Sequence, residues 1–115
     1  SLFVFVPGLS TAQDLPEPPE ADHHQHVFSP AYAKLQSAGF PIVTAKDVIE
    51  MLDKAGIRRA ALLSTGFRYG RPGAEPENEY AAVKAENDWT AAQAAQFPKR
   101  LIAICGFNPP QGLRT

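Results

Sequence analysis

Apolar residues recur along this chain in two rhythms. Val48, Ile49, Leu52 and Ala55 repeat at helical spacing behind Thr44-Ala45-Lys46-Asp47, the arrangement of a capping box, and Gly56 supplies a stop. This pattern predicts a helix over 45–55. Ala60 to Thr65 and Leu101 to Phe107 are instead short continuous apolar runs, as in strands buried on both faces. Asn108-Pro109-Pro110 stops the second run. Between the runs, 66–76 reads as a Gly- and Pro-rich loop, and an alanine-rich helix is expected over 77–96, with Pro98 beyond it. Upstream, 21–28 reads as a strand ended by Ser29-Pro30. A short helix over 31–38 is closed by Gly39, and 40–43 connects it to the capped helix. Strand alternating with helix is the mark of βαβ crossovers and a parallel sheet. Ligands of such sheets sit beyond the carboxyl ends of the strands. His24 and His26, Ser64-Thr65 and Asn108 would all reach that edge.

The chain has 115 residues, 44% of them hydrophobic and 20% charged, with a net charge of -1. That suits one small domain burying roughly 60–70% of its unfolded surface. With no basic excess, nucleic acid and anionic membrane are not expected as partners. Cys105 is the one cysteine, so no internal disulfide forms; within an apolar run it reads as a small buried hydrophobe. The apolar stretch Leu2 to Leu9, followed by Ser10-Thr11-Ala12, resembles the end of an export signal, so 1–12 reads as a signal-peptide remnant. An exported or periplasmic location follows if that reading holds, and a cytoplasmic one otherwise. The alternative for Leu2 to Val6 is an edge strand. Residues 13–20 read as an acidic, Pro-rich linker.

The candidate chemistry lies in Asp22-His23-His24-Gln25-His26, which holds all 3 histidines of the chain. On an extended strand alternate side chains share a face, so Asp22, His24 and His26 are expected on one side and His23 and Gln25 on the other. Two imidazoles at that spacing make half of a divalent-metal site; zinc binds imidazole nitrogen at about 2.0–2.1 Å. Asp22 would orient a histidine or contact the ion. The alternative is a solvent-exposed cluster with incidental metal affinity. Arg68, Tyr69 and Arg71 fall in the loop after the second strand, where an arginine can grip a substrate carboxylate with both nitrogens; a solvated loop is the rival. Trp89, Phe97 and Tyr80 read as packing. Ser64 lacks the Gly-x-Ser-x-Gly setting of a serine hydrolase.

Asp22 to Pro30 resembles the first-strand signature of the amidohydrolase superfamily. The closer likeness is to the amidohydrolase-related branch that includes aminocarboxymuconate-semialdehyde decarboxylase and the pyrone-dicarboxylate lactonases. It extends through Thr44 to Ser64, Glu86 to Trp89, Phe97 to Leu101 and Cys105 to Pro109. The resemblance implies an α/β fold, the N-terminal part of a metal-dependent (β/α)8 TIM barrel, spanning 21–115 as about three strand-helix units of a barrel that needs about 250 residues. It also implies that His24 and His26 ligate the metal, with further histidines and an aspartate supplied by later strands that this chain lacks. The expected parent is a hydrolase of esters, lactones or amides. A nonhydrolytic decarboxylase of the same branch and a noncatalytic metal-binding module are the alternatives, and the chain alone is expected to be inactive. Zinc is the expected ion, a small molecule the substrate, and homo-oligomerisation of a full-length form is left open.

Overall fold

A computed structural model describes residues 17–71, 73 and 77–108. The proposed signal remnant and the first half of the linker lie outside the described residues. Three strands, β1 (Ala21–His26), β2 (Arg59–Leu63) and β3 (Leu101–Ile104), form a parallel sheet in the order β1-β2-β3. Between β1 and β2 the chain forms α1 (Pro30–Lys34) and α2 (Ala45–Ala55); between β2 and β3 it forms a 3₁₀ helix (Thr65–Gly70) and α3 (Glu79–Ala95). This is the small α/β architecture that the alternation predicts.

The capped helix matches its sequence signal. The Thr44 hydroxyl accepts the Asp47 N–H, and the Asp47 carboxylate accepts the Thr44 N–H in return. At the far end Gly56 adopts φ 73°, the left-handed conformation that ends helices and that side chains with a Cβ disfavour. Val48, Ile49 and Leu52 turn inward, joining Val27, Ala45, Ala60, Leu62, Ala94 and Leu101 in one core, with Val43, Ile57, Trp89 and Phe97 packed at its margin. The amino end of the sheet is pinned by Arg100 and Glu20. The Arg100 guanidinium donates to the Arg58 carbonyl and to Asp53 at 2.7 Å, tying β3 to the C-terminal turn of α2. Glu20, at the end of the linker, accepts the Arg58 and Arg59 N–H groups through its carbonyl.

Several expectations change. The second strand stops at Leu63, because the Ser64 hydroxyl accepts the Gly66 N–H and turns the backbone into the 3₁₀ helix where a loop was expected. The short first helix ends at Lys34 rather than 38. The third strand is buried only at Leu101. Ile102 is 64% and Ile104 45% exposed, because among the described residues β3 pairs only with β2. Cys105, just past that edge, is exposed, and so is Tyr80. No described helix is long and apolar enough to cross a membrane.

Candidate metal centre

β1 is not a regular strand, and its irregularity shapes the site. Asp22 pairs with Ala60 and Gln25 with Leu62, so three steps along β1 match two along β2. The extra residue lies at His23-His24, as in a β-bulge. A slip of one residue reverses the facing of all that follows. Asp22 and Gln25 therefore come to one side, where the Gln25 amide donates to Asp22 Oδ2 at 2.6 Å. This corrects the expectation that Asp22 shares a face with His24 and His26. The other carboxylate oxygen, Oδ1, accepts the His24 backbone N–H at 3.0 Å, so Asp22 acts on His24 through the main chain and not through the ring. These two hydrogen bonds, the Gln25 one foremost, hold the Asp22 carboxyl below the usual carboxylate range.

The two imidazoles meet. Nε2 of His24 and Nε2 of His26 are 3.2 Å apart, with ring centroids 5.0 Å apart and planes at 77°. Two nitrogens on a tetrahedral zinc, each at about 2.05 Å, stand about 3.3 Å from one another, so the pair matches a shared ion. The tautomer of His26 is settled by its other nitrogen. Nδ1 lies 3.0 Å from the Leu63 carbonyl, which can only accept, so Nδ1 carries the proton and Nε2 keeps its lone pair. That is the outer hydrogen bond that metal-ligating histidines commonly make. Burial in the aromatic setting of Phe28 and Phe67 pushes the His26 pKa down; the Leu63 bond opposes this, and the neighbouring His24 and Arg68 add to it. A neutral ring is the form that binds a cation. His23 is exposed, and among the described residues no group of three or more His, Cys, Asp or Glu side chains comes together.

Arg68 and Tyr69 sit on the 3₁₀ helix and face α1 across a cleft of about 300 Å³ lined also by Tyr32, Gln36 and Arg71. Arg68 Nη1 donates to the Tyr32 hydroxyl at 2.8 Å, and its guanidinium lies 5.9 Å from the centre of the Phe67 ring. Phe67 in turn lies 6.1 Å from the His26 ring, so Arg68 and the histidine pair are linked through one aromatic side chain. Asn108, past β3, donates to the Gly66 carbonyl at 3.4 Å and abuts Gly70. The strand ends do gather at one edge.

Glu86 is a residue that the sequence reading passed over. It lies on α3, only 2% exposed, and takes the Ser29 hydroxyl at 2.7 Å, the Thr65 hydroxyl at 3.3 Å and the Tyr69 hydroxyl at 3.4 Å. Burial first, and the charge of Glu86 next, push Tyr69 up to about 12. The available signal was a carboxylate at the start of the buried spacing Glu86, Thr90, Ala94, one helical turn apart each time.

No family model matches the chain, and no curated protein matches it. Among solved structures it is similar to a probable 2-pyrone-4,6-dicarboxylic acid hydrolase from Acinetobacter baumannii, crystallised with citric acid bound. The identity is 22%, the TM-score 0.47, and the match covers 76% of this chain and 28% of that one. The chain thus corresponds to under a third of that protein's length.

Proposed function

We propose that this chain supplies the first strand-helix units of a metal-dependent hydrolase of the amidohydrolase type, within a (β/α)8 barrel. His24 and His26 hold a divalent cation, zinc by the chemistry of the donors. The observation that carries this reading is the 3.2 Å approach of the two Nε2 atoms together with the Leu63 carbonyl that fixes the His26 tautomer. A bound ion of this kind polarises a carbonyl and makes water a competent nucleophile near neutral pH. The protein's own contribution is orientation. Leu63 holds one ring, and Asp22 holds the backbone of the other. The Arg68 guanidinium is the proposed contact for the carboxylate or carbonyl oxygen of a small substrate, with Tyr69, whose hydroxyl proton goes to Glu86, as a lining contact of the same cleft. Residues 1–12 are proposed as the end of an export signal.

A noncatalytic metal-binding module is the second reading, favoured by the convergence of two imidazoles with no third ligand among the described residues. A decarboxylase of the same branch would use the same pair. Titration with Co²⁺ or Zn²⁺ tests the shared premise, with His24→Ala and His26→Ala beside the parent chain. Either substitution should abolish uptake at this pair, and equal uptake by parent and variants would remove the pair from the ligand set. Turnover of an ester or lactone panel with added Zn²⁺ then separates hydrolase from module; none is expected from this chain alone.

A further inference from the structure

Two walls enclose the Arg68 cleft, and they come from distant parts of the chain. One is α1 with Tyr32; the other is the 3₁₀ helix with Arg68 and Tyr69. Their only covalent link is the whole of α2 and β2, so their spacing must be set by contacts. A circuit of hydrogen bonds does this. Arg68 donates to the Tyr32 hydroxyl at 2.8 Å, and the Tyr32 backbone N–H donates to the Ser29 hydroxyl at 3.0 Å. Ser29 donates to Glu86 Oε1 at 2.7 Å, and Tyr69 donates to the same oxygen at 3.4 Å. Thr65, at the start of the 3₁₀ helix, donates to Oε2 at 3.3 Å. A buried carboxyl group must have its lone pairs filled, so three hydroxyls are drawn to one point on α3. Two of the three belong to one wall, and the third is the N-cap of the other.

We infer that Glu86 is the positioning residue of this cleft: from α3 it holds both walls through Ser29, Thr65 and Tyr69 and thereby aims the Arg68 guanidinium. The inference rests on the reading of Arg68 and Tyr69 as contact residues for its consequence in binding. Its readouts need neither metal nor substrate, so its failure and the failure of that reading are told apart. Glu86 bonds Ser29, Thr65 and Tyr69 while Arg68 bonds Tyr32, so the influence of Glu86 on Arg68 passes through Tyr32 and Tyr69.

The test uses the chain as it stands with Glu86→Gln, which keeps the side-chain volume, and Thr65→Val, a milder change that empties Oε2 alone. Thr90→Ala serves as the control for damage to α3, since Thr90 is buried and its hydroxyl donates to the Glu86 backbone carbonyl and not to the carboxylate. Circular dichroism confirms folding. Phenolate absorbance follows Tyr69, the phase being identified by its loss in Tyr69→Phe, and the Nε–H NMR signal follows Arg68. Glu86→Gln should move the Tyr69 phase down from about 12 and shift the Arg68 signal; Thr65→Val should shift the Arg68 signal the same way by less. Thr90→Ala should move neither. A folded Glu86→Gln protein, or a folded Thr65→Val protein should Glu86→Gln fail to fold, with the Arg68 signal unmoved would overturn the inference. So would a control that moves both signals as far.

Discussion

Removing one oxygen, in Ser29→Ala, probes the joint between the end of β1 and α3. Ser29 is buried, three residues past His26, and its hydroxyl makes two bonds. It accepts the Tyr32 N–H as the cap of α1, and it donates to Glu86 at 2.7 Å. Loss of a serine cap costs about 0.5–2 kcal/mol, and α1 spans only five residues, so the low end applies. Loss of a hydrogen bond to a charged acceptor costs about 1.5–3 kcal/mol. Together the substitution should destabilise the chain by about 2–4 kcal/mol, against a total of about 5–15 kcal/mol for a domain of this kind. Urea unfolding followed by circular dichroism reads this as a midpoint lower by about 1–3 M at unchanged slope. The same change in a Glu86→Gln background should cost at least about 1 kcal/mol less, because the two groups share a bond. A single-variant loss below about 0.5 kcal/mol, equal in both backgrounds, would show that the Ser29–Glu86 bond contributes nothing, and the reading of Glu86 as a brace would fall with it.

Other outcomes follow from the fold. Leu62→Ala empties a fully buried site in the central strand and should cost about 2–5 kcal/mol by urea unfolding; a loss under about 1 kcal/mol would mean that α2 and α3 do not close over β2 as described. Thr44→Ala removes half of the capping box and should cost about 1 kcal/mol. The Thr44 backbone bond first, and its hydroxyl next, lower the Asp47 pKa from 3.8. The contribution of that carboxylate is thus present above 3.8 and lost as pH falls through the folded value. Thr44→Ala keeps the backbone bond to Asp47 and loses only the hydroxyl bond, so the gap between parent and variant should narrow in acid, while the part due to the lost cap on the Asp47 N–H persists. Cys105, exposed beside β3, should react completely with maleimide without denaturant, and protection until unfolding would restore the buried reading.

Local chemistry was legible from residue order wherever neighbours in the chain decide the outcome. The helix over 45–55 was readable because its cap, its apolar spacing and its terminal glycine are all local. The parallel sheet followed from alternation, and the nearness of His24 to His26 from their separation by one residue. Other features depend on partners far along the chain. The bulge that sends Asp22 to Gln25 exists because β1 must match β2 in register, and no residue of β1 announces it. The exposure of Ile102, Ile104 and Cys105 depends on which strands flank β3, whereas the apolar run containing them looks the same at an edge as at a centre.

Glu86 marks the division between the two kinds of knowledge. Residue order places a carboxylate on an alanine-rich helix, where solvent is its ordinary surrounding. Packing of α3 against the strand ends brings hydroxyls from residues 29, 65 and 69 to that carboxylate, which makes its burial tolerable. Period and capping are properties of a segment, because the backbone repeats every few residues. Burial and pairing are properties of what lies opposite, and only the folded chain supplies that.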